Sequence, residues 1–259
     1  MSLRLVPDEL WALAEPLIPR FRQRPQGGGT APVDDRAVFT AIVYVLTSGC
    51  GWPELLTVPT AHRRFTRWTK AALWRRLHQA VLDELGSRGE VDWSRAILDA
   101  ATVRAKKGRP ETGPNPVDRG KPGSKIHIVS DRRGLPLAIG VSAANLHDSQ
   151  ALKPMLMAIP HIRSRRFRPA KLHADRAYDI DHLRRWLRHR GIIPRIARNG
   201  IDSSERLGRH RWVVERTISW LTGYRRLTIR YERHADNYCG LLTLAATLTC
   251  FKQLTKLAT

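Results

Sequence analysis

Two short apolar runs, far apart in the chain, each break off at an aspartate. Ala96, Ile97 and Leu98 lead into Asp99; Leu172, His173 and Ala174 lead into Asp175. Runs this short read as strands, over 94–100 and 170–175. A third acid, Glu215, lies inside a helical stretch over 211–221. Two carboxylates at strand ends and one on a packing helix can converge from distant parts of a chain. Such an oxygen cluster suits hard divalent cations. A metal pair roughly 3.5–4 Å apart stabilises both the entering and the leaving oxygen of a phosphodiester substitution.

The strand signals recur at 125–130, 135–142 and 192–197, with a turn at 131–134. Helical periodicity appears at 148–159, 180–190, around Glu215, and in a last apolar helix over 236–254. Three hairpin-like strands followed by alternating helices and strands predict a mixed sheet with helices packed against it, an α/β fold. Residues 7–86 read instead as all helical. Asp8 is placed to cap a helix from Glu9 to Glu15, and Pro16 to stop it. Asp34 or Asp35 caps a second, whose stripe is Val38, Ala41, Ile42, Val45 and Leu46 and whose end is Gly49. Thr60 caps a third, Ala61 to Lys70, and a fourth runs from about Ala72 to Leu85. In the third, Arg63, Arg64 and Arg67 share a face while Phe65 and Trp68 point inward. That suits the second helix of a helix-turn-helix reaching phosphates or base edges; an ordinary solvated basic face reads the same way. A Gly- and Pro-rich connection spans 20–33. The junction at 87–90 separates a helical part, 1–88, from a sheet-containing part, 89–259.

The formal charge of +22 is unevenly spread. Residues 1–90 carry 12 Lys/Arg against 9 Asp/Glu, and residues 91–259 carry 33 against 14. A net +19 on the sheet-containing part implies a polyanionic partner that this part grips itself. Between the first two strands, residues 104–125 hold seven basic and two acidic residues, four prolines and four glycines. Such a loop packs no core and is expected to be mobile without a ligand. Its Lys106, Lys107, Arg109, Lys121 and Lys125 are candidate DNA contacts.

Cys50, Cys239 and Cys250 have neither disulfide-framework nor zinc spacing. The apolar stretch 239–250 is too short to span a bilayer, and residues 1–7 lack a signal-peptide core. A cytoplasmic, nucleoid-associated protein with no membrane partner is expected.

Taken together, the motifs resemble bacterial insertion-sequence transposases of the DDE type, in the insertion-sequence-five family. In the N-terminal part the likeness rests on Leu10-Trp11, Asp35-Arg36, residues 41–52 and residues 63–68. In the remainder it rests on residues 98–102, 118–125, 144–148, 174–179 and 211–217. Their order and spacing across the chain carry the specificity. The resemblance implies an RNase H-like core, with Asp99, Asp175 and Glu215 as catalytic triad and metal ligands. It implies Mg²⁺ as cofactor, two ions, with Mn²⁺ able to substitute. It implies action on double-stranded DNA at terminal inverted repeats, transfer to target DNA, and a homodimer or higher oligomer on DNA. Arg211, four before Glu215, matches the family's third motif and shares its helix face. The motif's tyrosine and second basic positions hold Gly208 and Thr222, leaving Arg216, Arg225 or Arg226 for phosphate contacts. A nuclease of the same fold that cuts without joining, and a transposase-derived DNA-binding regulator, are the alternatives. Asp179 and Asp181 read as helix caps, Asp148 as an N-cap or a neighbour of the site with His147, and Trp212 and Trp220 as core residues by default, with stacking on a flipped base as the lesser reading.

Overall fold

The computed structural model describes residues 5–20, 33–54, 58–106, 110–164, 168–198 and 204–256, with the backbone alone for 54, 58–59 and 204–211. Lys107 and Arg109 lie outside the described residues, as does the Arg211 side chain.

The N-terminal helices form where the apolar periodicity places them. Helix α1 is Asp8–Ala14, and Pro16 falls inside a 3-10 turn, Glu15–Leu17, that continues it. Asp8 sits in the first turn rather than at the cap, which Pro7 occupies; its carboxylate pairs with Arg36 instead. Helix α2 is Asp35–Ser48, capped by Asp34, which accepts from the Ala37 N–H at 2.8 Å. Gly49 ends it at φ 77°, a left-handed value that glycine adopts freely. Helix α3 is Val58–Lys70, starting two residues before Thr60, and α4 is Leu73–Ser87. Between Gly49 and α3 the described residues include a 3-10 turn, Trp52–Glu54, and a tight turn follows α3 at Ala71 and Ala72. Phe65 and Trp68 are buried as the pattern predicts. They join Trp11, Phe39, Trp52 and Trp74 in a chain of ring contacts with centroids 5.4–6.1 Å apart.

The sheet is built from β1 (Ala96–Ala105), β2 (Gly113–Pro114), β3 (Pro122–Asp131), β4 (Pro136–Ala143), β5 (Lys171–Ala174), β6 (Ile193–Ile196) and β7 (Ile229–Arg230). β4, β3 and β1 form an antiparallel meander, and β5 then β6 add in parallel on the far side of β1. Numbered in sequence, the five main strands run 3-2-1-4-5, the order of an RNase H-like sheet. β1 and β3 are longer than the apolar runs suggest, because pairing with each other carries both past the polar residues at their ends. The two short pairings, β2 on β3 and β7 on β1, carry no periodic signal.

Helices cover both faces. Here α5 is Leu152–Met157, preceded by a 3-10 turn at Asp148–Ala151, and α6 is Asp181–His189. They bury one face with Leu98, Val129, Leu172, Tyr178, Leu183 and Ile196. Helix α7 (Ser204–Thr222) and helix α8 (Ala235–Lys256) lie on the other, against Ile97, Val103, Ile126 and Ile128. α8 is apolar nearly all round, as a central helix must be. That core runs on without a break into α1 to α4, so it crosses residues 87–90. Among the described residues, no helix is long and apolar enough to cross a membrane.

Candidate active site and nucleic-acid interface

The parallel register of β1 and β5 pairs Ala96 with Leu172 and Ile97 with His173. Two residues further along each strand come Asp99 and Asp175. They therefore stand side by side, Asp99 within β1 and Asp175 just past the end of β5, on neighbouring strands that lie about 4.8 Å apart. Asp99 also sits opposite Ile128 of β3, which belongs to the core under α7 and α8, whereas Leu98 sits opposite Val129 in the other core. Alternation thus points Asp99 to the α7 face. It is 8% exposed, and its Oδ1 accepts from the Ala100 N–H at 2.8 Å. Asp175 closes β5 and caps the 3-10 turn Arg176–Tyr178, its Oδ1 accepting from the Ala177 N–H at 2.9 Å.

Glu215 lies on α7, over the same face. Val213 and Val214 bury that helix into the core, and two hydrogen bonds fix its height above the sheet. Thr217 Oγ1 donates to the Gly134 carbonyl at 2.8 Å, and Arg216 Nη2 donates to the Arg133 carbonyl at 2.6 Å. Gly134 makes this approach possible: a Cβ there would lie 3.0–3.3 Å from Thr217, Arg216 and Val213, at a φ of 90°. The Glu215 side chain itself is exposed. Among the described residues, no three His, Cys, Asp or Glu side chains are close enough to hold a metal ion together. The structure thus aligns Asp99 with Asp175 and sets the Glu215 helix on their side without gathering the three carboxylates.

A fourth acid and a tyrosine complete the surroundings. Asp148 forms an ion pair with Lys125 of β3 at 2.7 Å, and Lys125 also donates to the Leu146 carbonyl at 2.7 Å. His147, not Asp148, caps the turn that follows, accepting from the Ser149 N–H. Tyr178 is fully buried and its hydroxyl has no hydrogen-bond partner among the described residues. Burial, and then the charges of Asp148, Asp175 and Asp99, push its phenol far up, so it stays a donor. The carboxylates of Asp99 and Asp175 are the kind of oxygen donors that hard divalent cations prefer. His127, near Asp148 and Lys125, is brought down to about 4 chiefly by burial and is neutral at physiological pH. Lys125 is the cation here. Periodicity gives no signal for Tyr178; its place one turn after Asp175 does.

The basic residues divide sharply. On α3, Arg63 and Arg67 are exposed, and Arg67 donates to the Arg20 carbonyl. Arg64 is buried: it pairs with Asp35 and donates to the Val33 carbonyl, tying α3 to the start of α2. In the loop, Lys106 is exposed above the Tyr231 ring and Lys121 is exposed near Asp118. Arg216 stacks between Trp212 and Trp220, 4.6 and 4.7 Å from their rings. Trp212 is 50% exposed, so it is a surface residue and not part of the core. Asp179 does not cap α6 but pairs with Arg184 at 2.7 Å, and Asp181 lies within its first turn. Arg226 is buried against Glu232, leaving Arg225 at the surface.

Residues 94–250 match the family model described as "Transposase DDE domain", and residues 6–78 match "Putative transposase of IS4/5 family". The chain is 50% identical over 151 residues to "Putative transposase for insertion sequence element IS402" of Burkholderia cepacia, covering 57% of this chain and 72% of that one. It is 35% identical over 123 residues to "Insertion element IS402 uncharacterized 16.2 kDa protein" of the same organism, covering 45% and 84%. Among solved structures, the catalytic domain of Mos1 mariner transposase aligns with 74% of this chain and 93% of its own at 11% identity and a TM-score of 0.30, too low to bear on the fold. The first of these models spans the sheet, the paired aspartates and the Glu215 helix, well over half of the molecule, and on that ground the chain belongs to the DDE transposases of insertion sequences.

Proposed function

We propose that this transposase cuts DNA at the terminal inverted repeats of its element and joins the freed 3′ ends to target DNA. The observation that carries this reading is the alignment of Asp99 with Asp175 under the helix that bears Glu215. Water attacks a phosphodiester at the element end; the P–O bond to the 3′ oxygen breaks and leaves a 3′-hydroxyl. That hydroxyl attacks a target phosphodiester, displacing a new 3′-hydroxyl, with no covalent enzyme intermediate.

Asp99, Asp175 and Glu215 are the residues to hold the divalent cations that the family requires, two Mg²⁺ with Mn²⁺ as substitute. Ions there supply the charge that activates the attacking oxygen and stabilises the leaving one. The chain contributes alignment and charge. Lys125, paired with Asp148, adds to the positive charge of this part of the chain, and the Tyr178 phenol lies within the electrostatic reach of Asp175 and Asp99. Purified protein with Mg²⁺ or Mn²⁺ should nick end-containing DNA and join it to a plasmid. Failure of both steps overturns the reading. Cutting without joining would mark a nuclease, and end binding without cutting a regulator.

DNA binding divides between the two parts of the chain, 1–88 and 89–259. The net +19 beyond residue 90 gives salt-sensitive, sequence-tolerant grip through Lys106, Lys107, Arg109, Lys121, Lys125, Arg211 and Arg216. Helix α3 reads the ends through Arg63 and Arg67, seated by Arg64. Replacing Arg63 and Arg67 with alanine should lower the preference for end DNA over random DNA more than it lowers total binding. Alanine at Lys106, Lys107 and Arg109 should weaken all DNA alike, flattening the log–log salt slope by about 0.9 per lost phosphate contact. The opposite pattern would make α3 an assembly surface. The protein works in the bacterial cytoplasm at the nucleoid, and two ends require at least a dimer on DNA.

A further inference from the structure

A cavity of about 340 Å³ opens between the C-terminal ends of α7 and α8. Its size falls within the roughly 300–1,000 Å³ of small-molecule sites. Trp220 and Tyr224 supply aromatic wall; Lys252 and Lys256 supply ammonium groups; Thr249 and Gln253 supply hydrogen-bonding groups; among the described residues no Asp or Glu lines it. The Lys252 Nζ lies 5.3 Å from the Tyr224 ring centre, which holds the charge at the aromatic wall. Tyr224 is more than nine-tenths buried, yet its hydroxyl has no hydrogen-bond partner among the described residues. A buried hydroxyl left unpaired is costly and calls for a partner. Nothing in the metal-binding chemistry of Asp99, Asp175 and Glu215 uses these groups.

A flat ring face, paired positive charges and short hydrogen-bonding side chains together match a nucleotide: base, phosphate and base edge. A base stacked inside a duplex offers no such face. The cavity shares a helix with Glu215. Trp220 is five residues after Glu215 on one helix, about 7.5 Å along the axis, and it ends the Trp212–Arg216–Trp220 stack. We propose that this cavity takes an unpaired nucleotide of the DNA strand, its base against Trp220 and Tyr224 and its phosphate at Lys252 and Lys256. The proposal rests on the reading of the chain as an enzyme that acts on DNA.

The test is a binding experiment with the full chain in the absence of divalent cations. One probe is a blunt duplex; the other is the same duplex with a short single-stranded extension carrying 2-aminopurine beside the junction. The extended probe should bind about tenfold tighter, within the range that base–aromatic stacking gives, and its fluorescence should be quenched. Lys252→Ala with Lys256→Ala, and separately Trp220→Leu, should each abolish the ratio between the probes while blunt duplex is still bound. Tyr224→Phe should lower the ratio in part. Equal affinity for the two probes overturns the proposal, as does a ratio that survives both the lysine pair and Trp220→Leu. Loss of the ratio in the lysine variant alone is sufficient support should Trp220→Leu fail to fold. Absence of any DNA binding overturns the transposase reading itself, whereas duplex binding without a ratio overturns the cavity alone.

Discussion

Asp99→Asn, Asp175→Asn and Glu215→Gln should each lower DNA cleavage by about a thousandfold or more, since a lost charged ligand removes several kcal/mol of transition-state stabilisation. Each change keeps the side-chain shape and removes one charge. Duplex binding should persist, because it draws on the wider positive surface and not on these acids. Folding should also persist. Asparagine at 175 keeps an oxygen to accept from the Ala177 N–H, and Glu215 is exposed. Cleavage of labelled end DNA in Mg²⁺, with binding and thermal unfolding measured on the same preparations, checks all three. Near-normal turnover by the Asp175→Asn protein would remove that strand end from the active site. Loss of turnover together with a collapse in melting temperature would mean a role in folding instead.

The sequence exposes the acidic site unevenly. Asp99 and Asp175 are visible because each ends a run too short for a helix, and alternation then decides which face Asp99 takes. Glu215 is visible as a member of an amphipathic helix. What a single chain does not display is the partner that a charged side chain finds after folding. Arg64 lies near Arg63 and Arg67 in sequence, yet Asp35, 29 residues away, turns it into the core. Arg230 is 0% exposed and binds the Pro110 and Glu111 carbonyls and Ser124 Oγ, joining the loop after β1 to β3. A lone arginine in a two-residue strand gives no hint of that, because arginines are surface residues by default. Trp212 fails in the other direction. Large aromatics default to the core, and only the stack on Arg216 makes its exposure intelligible. The His147 cap follows the same logic: Asp148 would cap well, but Lys125 takes its carboxylate.

Arg226→Met should cost about 3–5 kcal/mol of stability, the usual result of stripping one partner from a buried ion pair. Arg226 and Glu232 are both largely buried and 2.8 Å apart. Glu232 Oε1 also accepts from Trp52 Nε1 at 3.1 Å, Oε2 lies 3.9 Å from His62, and Arg226 donates to the Cys50 carbonyl. Burial alone would raise the Glu232 carboxyl, but the neighbouring His62, hydrogen bonds from Arg226 and Trp52, and the Arg226 charge outweigh it and hold it below the ordinary value. A depressed carboxyl contributes stability that is present above the unfolded value near 4.5 and is lost as pH falls through the folded one. Thermal unfolding from neutral pH to below 4 should therefore show two things. The melting temperature of Arg226→Met should be lower at neutral pH, by roughly 2–4 °C per kcal/mol for a chain of this size. The gap to the parent should then narrow on acidification, because the parent loses what the variant already lacks. Adding Glu232→Leu should restore part of the loss by removing the orphaned charge. Equal melting temperatures at neutral pH would mean that the pair contributes nothing. The pair matters beyond stability because Cys50 and Trp52 precede α3, His62 lies on it, and Glu232 follows β7 at the edge of β1. The helix proposed to read element ends is thus linked, through Glu232 and β7, to the strand that carries Asp99, and loosening this contact should lower end preference even where α3 keeps its arginines.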